Sequence, residues 1–85
     1  MENVIRYDAQ RSRYTLDVNG AMAFADCHLA EGVLTILHVE APPVLRGTGA
    51  AGQLMQGIVE DAQAKGLTVV PRCSYAAAWI QRHPS

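Results

Sequence analysis

Neither sign of charge dominates this chain. Seven Lys and Arg stand against eight Asp and Glu, a formal net charge of −1. There is no basic field to attract nucleic acid and no acidic tail to attract a basic partner. Long hydrophobic runs are missing too. The apolar stretches fall far short of the roughly 20 residues that cross a bilayer, so no membrane partner is expected. The opening residues Met1-Glu2-Asn3-Val4 lack the basic-then-apolar layout of a secretory signal, and the expected location is the cytoplasm. Cysteine is sparse: Cys27 and Cys73 are the two present, and in a cytosolic chain they are expected to stay free thiols. The three histidines, at 28, 38 and 83, show no metal-ligand spacing, so no metal is expected. Repeats, linkers and low-complexity tracts are also absent from the sequence.

What is there reads as one globular domain over residues 1–85, with 49% apolar and 18% charged residues. A chain of this size buries only about two-thirds of its unfolded surface, so its core is modest. Val4 to Asp8 fits a short edge strand. Tyr14, Leu16 and Val18 alternate with Arg13, Thr15 and Asp17, the period of a half-buried strand. Asn19-Gly20 then signals a tight hairpin, because a type I′ turn needs positive φ at both central residues. The return strand runs Ala21 to Leu29, with Met22 and Phe24 on one face and small alanines on the other. Glu31-Gly32 turns the chain again. Val33 to Val39 is almost wholly apolar, as expected of a central strand covered on both faces.

The second half changes period. Ala51, Leu54, Met55, Ile58, Val59 and Ala62 fall on one face of a helix, with Gln53, Gln56, Glu60, Asp61 and Gln63 on the other. Lys65-Gly66 supplies a cation and a glycine where a helix ends. Leu67 to Val70 predicts a short strand closed by Pro71. Ser74 fits the N-cap of a last helix from Tyr75 to Arg82, stopped by Pro84. The fold class is therefore α/β (α+β): an antiparallel four-strand meander, a helix, a parallel strand and a C-terminal helix. The unit from Val33 to Val70 is expected to be a right-handed crossover, and ligands in such units sit outside the carboxyl ends of the strands.

That rim carries the chemistry. Gly47-Thr48-Gly49-Ala50-Ala51-Gly52 is a literal G-x-G-x-x-G between a strand and a helix, a layout that favours phosphate. A dinucleotide fold is a poor fit. Pro42-Pro43-Val44-Leu45-Arg46 separates the first glycine from its strand, and the antiparallel start leaves no room for two βαβαβ halves. Arg72 also stands where that fold places a ribose-binding acid. No Gly-Lys-Ser/Thr follows, which excludes a Walker-type loop. Cys73 stands beside Arg72 at an expected helix start, and both features favour thiolate. His38 and Glu40 are two apart at a strand end, so they share a face.

Read from Arg46, the loop Arg46-Gly47-Thr48-Gly49-Ala50-Ala51 resembles the [Q/R]-x-x-G-x-[G/A] pyrophosphate arm of Gcn5-related N-acetyltransferases. The segments His38-Val39-Glu40-Ala41-Pro42-Pro43 and Val70-Pro71-Arg72-Cys73-Ser74-Tyr75, with closing Arg82-His83-Pro84, are similar to the minimal YjdJ-type acetyltransferase-like domains. The likeness covers nearly the whole chain. It implies a GNAT-like fold that binds acetyl-coenzyme A and transfers acetyl to an amine. The backbone of Arg46, Gly47, Thr48, Gly49, Ala50 and Ala51 is implied to hold the pyrophosphate. The pantetheine arm is implied to bond near Val39, Glu40 and Ala41, between the parting parallel strands.

By the same resemblance Cys73 either takes the acetyl group or acts as acid toward the departing thiolate, with Tyr75 as a second acid or a packed ring. His38 or Glu40 could accept the amine proton. The short Asp8 to Ser12 connection has no room for the usual helices over the acceptor pocket, which suits a large acceptor such as a protein amine. Val39 stands where the family usually has threonine, removing a hydroxyl beside the acyl site. The alternative is a coenzyme A-binding or interaction module without turnover.

Overall fold

The computed structural model describes residues 5–83. Five strands are laid down as β1 (Ile5–Asp8), β2 (Arg13–Val18), β3 (Ala21–Ala30), β4 (Val33–Glu40) and β5 (Thr68–Pro71). A single 3-10 turn, Pro43–Leu45, and helix α1 (Ala50–Ala64) lie between β4 and β5, and α2 (Ser74–Arg82) follows. Spatial order is β1-β2-β3-β4-β5, with β4 and β5 parallel and the other neighbours antiparallel. The meander, the crossover and both helices are thus the ones expected from the sequence. The expected strand start at Val4 and helix stop at Pro84 lie outside the described residues.

The two hairpins each close on two successive residues of positive φ, the second of them glycine. Asn19 and Gly20 have φ of 52° and 86°, Glu31 and Gly32 have 54° and 78°. Asp17 Oδ1 accepts the Gly20 N–H at 2.9 Å and so braces the first turn. The core forms on one side of the sheet. Leu16, Leu34 and Ile36 from the strands meet Leu54, Met55, Ile58 and Ala62 of α1, all essentially buried. Ala23 and Ala25 lie between them at 0% exposure, and their small side chains let the helix sit close to β3. No helix among the described residues is long and apolar enough to cross a membrane.

Two expectations need correcting. β4 is covered on one face only: Leu34 and Ile36 are fully buried, whereas Leu37 is 51% exposed. The reason is that α2 packs beside α1 rather than across the sheet, with Ala76 and Trp79 in the same core cluster. The other correction concerns the start of α2. Its N-cap is Cys73, without a side-chain cap bond, and Ser74 is the first helical residue. Ile36 O accepts the N–H groups of both Arg72 (2.9 Å) and Cys73 (3.1 Å), which keeps Cys73 extended and starts the helix one residue early.

Away from the rim, Tyr14 donates its hydroxyl to Asp61 Oδ2 at 2.6 Å, and Lys65 pairs with the same oxygen at 3.0 Å. Burial, and then the bond to Asp61, push the Tyr14 hydroxyl well above its ordinary range. The Tyr14 bond, with Lys65 behind it, holds the Asp61 carboxyl below its ordinary value. A depressed carboxyl contributes stability above its unfolded value of about 3.9, and loses it as pH falls through the folded value. Asp61→Asn is therefore expected to flatten the loss of stability below about pH 4, read as urea midpoints against pH. Parallel acid limbs in parent and variant would contradict this. At Gly57 an added Cβ would land on Ile5 Cγ1 and within 2.8 Å of Cδ1, so β1 can lie against α1 only because that side chain is missing. Gly57→Ala is expected to destabilise by about 1–3 kcal/mol despite its better helix propensity. An unchanged urea midpoint would refute the close approach.

Candidate functional site

The site is built where β4 ends. Ala41-Pro42 leads into the single turn Pro43–Leu45, and Leu45, 5% exposed, anchors it in the core. The turn then spends its own donors: Leu45 N–H bonds Pro42 O at 2.9 Å, Arg46 N–H bonds Pro43 O at 3.1 Å and Thr48 N–H bonds Leu45 O at 3.2 Å. Thr48 Oγ1 also donates to Leu45 O at 2.5 Å and accepts the Ala50 N–H at 3.3 Å. Gly47 and Gly49 take φ of 81° and 82°, and Gly49 is the N-cap of α1 with no side chain to cap it. Among the described residues, the N–H groups of Gly47, Gly49, Ala51 and Gly52 therefore find no intramolecular acceptor. They stand at the positive end of a 15-residue helix. Such an end is a ready anion site.

These groups border a cleft of about 280 Å³ that runs from Ala41 past Arg46, Gly47 and Gly49 to Gly52, with Tyr75 of α2 on its far side. Tyr75 is 41% exposed, and it lines this cleft rather than filling the core. A larger groove, about 790 Å³, opens between α1 and α2 along Gln56, Glu60, Trp79 and His83, and meets the cleft at Gly52. There His83 stacks on Trp79 at 4.1 Å. That groove carries the Glu60 carboxylate and no row of open N–H groups, so it is the poorer place for a phosphate.

One irregularity in β4 decides where the other candidate side chains go. Asp26 pairs with His38 but Cys27 pairs with Ile36, so Leu37 is an extra residue, a β-bulge. Before it Leu34 and Ile36 face the helices. After it Val39 does, and His38 and Glu40 face the uncovered side with Asp26 and Phe24 opposite them. His38 Nε2 lies 3.1 Å from Glu40 Oε1, with both side chains more than half exposed, and the His38 and Phe24 rings are 6.3 Å apart. Beyond Ile36–Pro71 the β4–β5 ladder stops, while β4 stays paired to β3 as far as Glu40. The two parallel strands part there.

The candidates named from the sequence thus share one rim but not one face. Ala41, Arg46, Gly47, Gly49, Ala50, Ala51 and Tyr75 line the cleft together. Thr48 does not line it and braces the turn instead. Val39 is partly buried against the core, Cys73 is half-buried at the start of α2, and His38 and Glu40 sit on the opposite face of the sheet. Sequence reasoning missed the part of Gly52, whose open N–H completes the row. An added Cβ there would stand 3.6 Å from Trp79 Nε1. The third glycine of the motif was its signal. No group of three His, Cys, Asp or Glu among the described residues is placed to hold a metal ion.

A family model described as GCN5-related N-acetyl-transferase matches residues 13–85, from the start of β2 through α2. No curated protein matches the chain.

The two thiols differ in surroundings. Burial pushes Cys27 up to about 11, with the Asp26 charge adding to the rise, so at pH 7 it is almost wholly thiol. Cys73 is partly open at a helix start. Iodoacetamide at pH 7 is expected to label Cys73 at least tenfold faster than Cys27 in the folded protein, read by peptide mass spectrometry. Equal rates would remove the distinction.

Proposed function

As the chain belongs to the GCN5-related N-acetyltransferase family, we propose that it binds acetyl-coenzyme A at the α1 loop and transfers the acetyl group to an amine. The observation that carries this reading is the row of unpartnered N–H groups at Gly47, Gly49, Ala51 and Gly52. They fit a pyrophosphate in number and in sign of charge, and Arg46 adds a cation to the same cleft. The parted strands leave the β4 backbone from Val39 to Ala41 without a β5 partner, as a pantetheine arm requires. The cytoplasm is the location that goes with this cosubstrate.

The chemistry asked of the protein is modest. The amine nitrogen attacks the thioester carbonyl, a C–N bond forms, the C–S bond breaks and the coenzyme leaves as thiolate. His38 or Glu40 accepts the proton the amine gives up, and their 3.1 Å contact lets one hold the other in place. Cys73 protonates the departing thiolate, or takes the acetyl group first and passes it on. Tyr75, on the cleft wall, is a second acid. A coenzyme-binding module without turnover is the competing reading, and Val39 favours it by placing no hydroxyl beside the acyl site.

Cys73→Ala is expected to keep coenzyme affinity while lowering acetyl transfer by a factor of ~10² or more. Free-thiol release in the presence of a lysine peptide measures transfer, and calorimetry measures binding. Gly49→Val is expected to abolish binding, because a φ of 82° strains any L side chain and the loop must rearrange. Unchanged affinity in Gly49→Val would remove the loop from the site. A parent rate no higher than spontaneous hydrolysis for every amine would leave the non-catalytic reading.

A further inference from the structure

One row of titratable side chains crosses the uncovered face of the sheet. Asp8 of β1 stands opposite Arg13 of β2, Arg13 opposite Asp26 of β3, and Asp26 opposite His38 of β4. Side chains paired in this way have Cβ atoms about 5 Å apart, so each can reach the neighbour on either side. The contacts they make are unequal. Asp8 Oδ1 accepts the N–H groups of Gln10 and Arg11 and so belongs to its own turn. Arg13 turns the other way. Its Nε donates to Asp26 Oδ1 at 2.7 Å, and its guanidinium lies 4.1 Å over the Phe24 ring. His38 bonds Glu40 on its own strand at 3.1 Å and not Asp26 across from it.

Among the described residues, the imidazole therefore has one carboxylate partner where the register offers two. A carboxylate only accepts, so Nε2 carries the hydrogen of the Glu40 contact and the neutral ring keeps its lone pair on Nδ1. That lone pair is what can take a proton from an amine. A second, unpaired carboxylate beside the ring would favour imidazolium, which has no lone pair to offer. Arg13 occupies that second carboxylate. The remaining titratable groups near the ring lie further off. His28 stands opposite Thr35, exposed Arg72 follows β5 where its ladder to β4 stops, and Cys73 packs with the two helices on the other face. Arg13 and Asp26 are also the less exposed pair, at 32% and 35% against 55% and 56% for His38 and Glu40. The ion pair is the sheltered part of the row, and the imidazole is the part open to a reactant.

We propose that Arg13 is a positioning residue for acetyl transfer: by holding Asp26 it leaves His38 to Glu40 alone and keeps the His38 Nδ1 open to the amine proton. The proposal rests on the acetyl-transfer reading above, and it chooses His38 over Glu40 as the proton acceptor. As the C–N bond forms, the attacking nitrogen gives its proton to Nδ1 and keeps the electron pair of the broken N–H bond. Glu40 then faces an imidazolium until solvent takes the proton. Arg13 touches none of the reacting atoms and acts only through Asp26.

Variants of the full chain separate this role from a merely structural one. In Arg13→Gln the His38 ring, followed by NMR, is expected to titrate about half a pH unit or more above the parent. On the acid limb of its pH profile, kcat with a lysine peptide is expected to fall about threefold, with the loss recovered at higher pH and KM kept. Coenzyme affinity by calorimetry should stay as in the parent, which also reports that the variant is folded. Adding Asp26→Asn to Arg13→Gln is expected to return both the titration and the profile to the parent's. Loss of a structural ion pair would not be repaired in that way. A His38 titration that Arg13→Gln leaves unmoved, or that the double variant fails to restore, overturns the proposal whatever the activity does. A parent that acetylates no amine overturns the transfer reading, and with it any part of Arg13 in transfer, even where the His38 titration moves as stated.

Discussion

Leu37 has no counterpart on β3, and this single extra residue organises the rim of the molecule. A one-residue offset changes which face every later side chain takes. It turns Val39 toward the helices and sends His38 and Glu40 to the uncovered face, after a run in which Leu34 and Ile36 had filled the core. It also coincides with the end of the β4–β5 ladder, so the strand that carries these residues has free backbone on its β5 side. Ile36 O, the last carbonyl before the bulge, gathers the N–H groups of Arg72 and Cys73 and fixes where α2 begins. Loop, thiol and strand end are set by the same few peptide units.

The rest of the chain makes that rim rigid from one side. α1 can lie flat on the sheet because β3 offers Ala23 and Ala25, and against β1 because Gly57 has no side chain. The start of α1 is thereby held to the core through Leu45 and Ala50, both nearly buried. Beyond the Ala50 N–H, which Thr48 Oγ1 accepts, its first N–H groups have no capping side chain. A helix end of this kind leaves donors in want of an acceptor, and the handiest acceptor is an anion.

Much of this was legible in the sequence, for identifiable reasons. Asn19-Gly20 and Glu31-Gly32 mark turns by their glycines, which take the positive φ at low cost, and the α1 face is a clean helical period. The glycine loop, its helix and the parallel strand could be placed from spacing alone. The faces of β4 could not. A run of apolar residues reads as a doubly covered strand whether or not one of them is a bulge, since periodicity vanishes in both cases. The separation of His38 and Glu40 from the cleft was hidden for the same reason. At α2, Ser74 looked like the cap because capping propensity favours serine over cysteine. The bonds to Ile36 O, which involve backbone alone, overrode it.

Amide NMR during titration with coenzyme A tests the central claim most directly. The account predicts that the largest downfield shifts fall on Gly47, Gly49, Ala51 and Gly52, the N–H groups that lack acceptors in the free protein. Shifts centred instead on Trp79 and His83 in the α1–α2 groove, or no shifts at millimolar coenzyme, would contradict it.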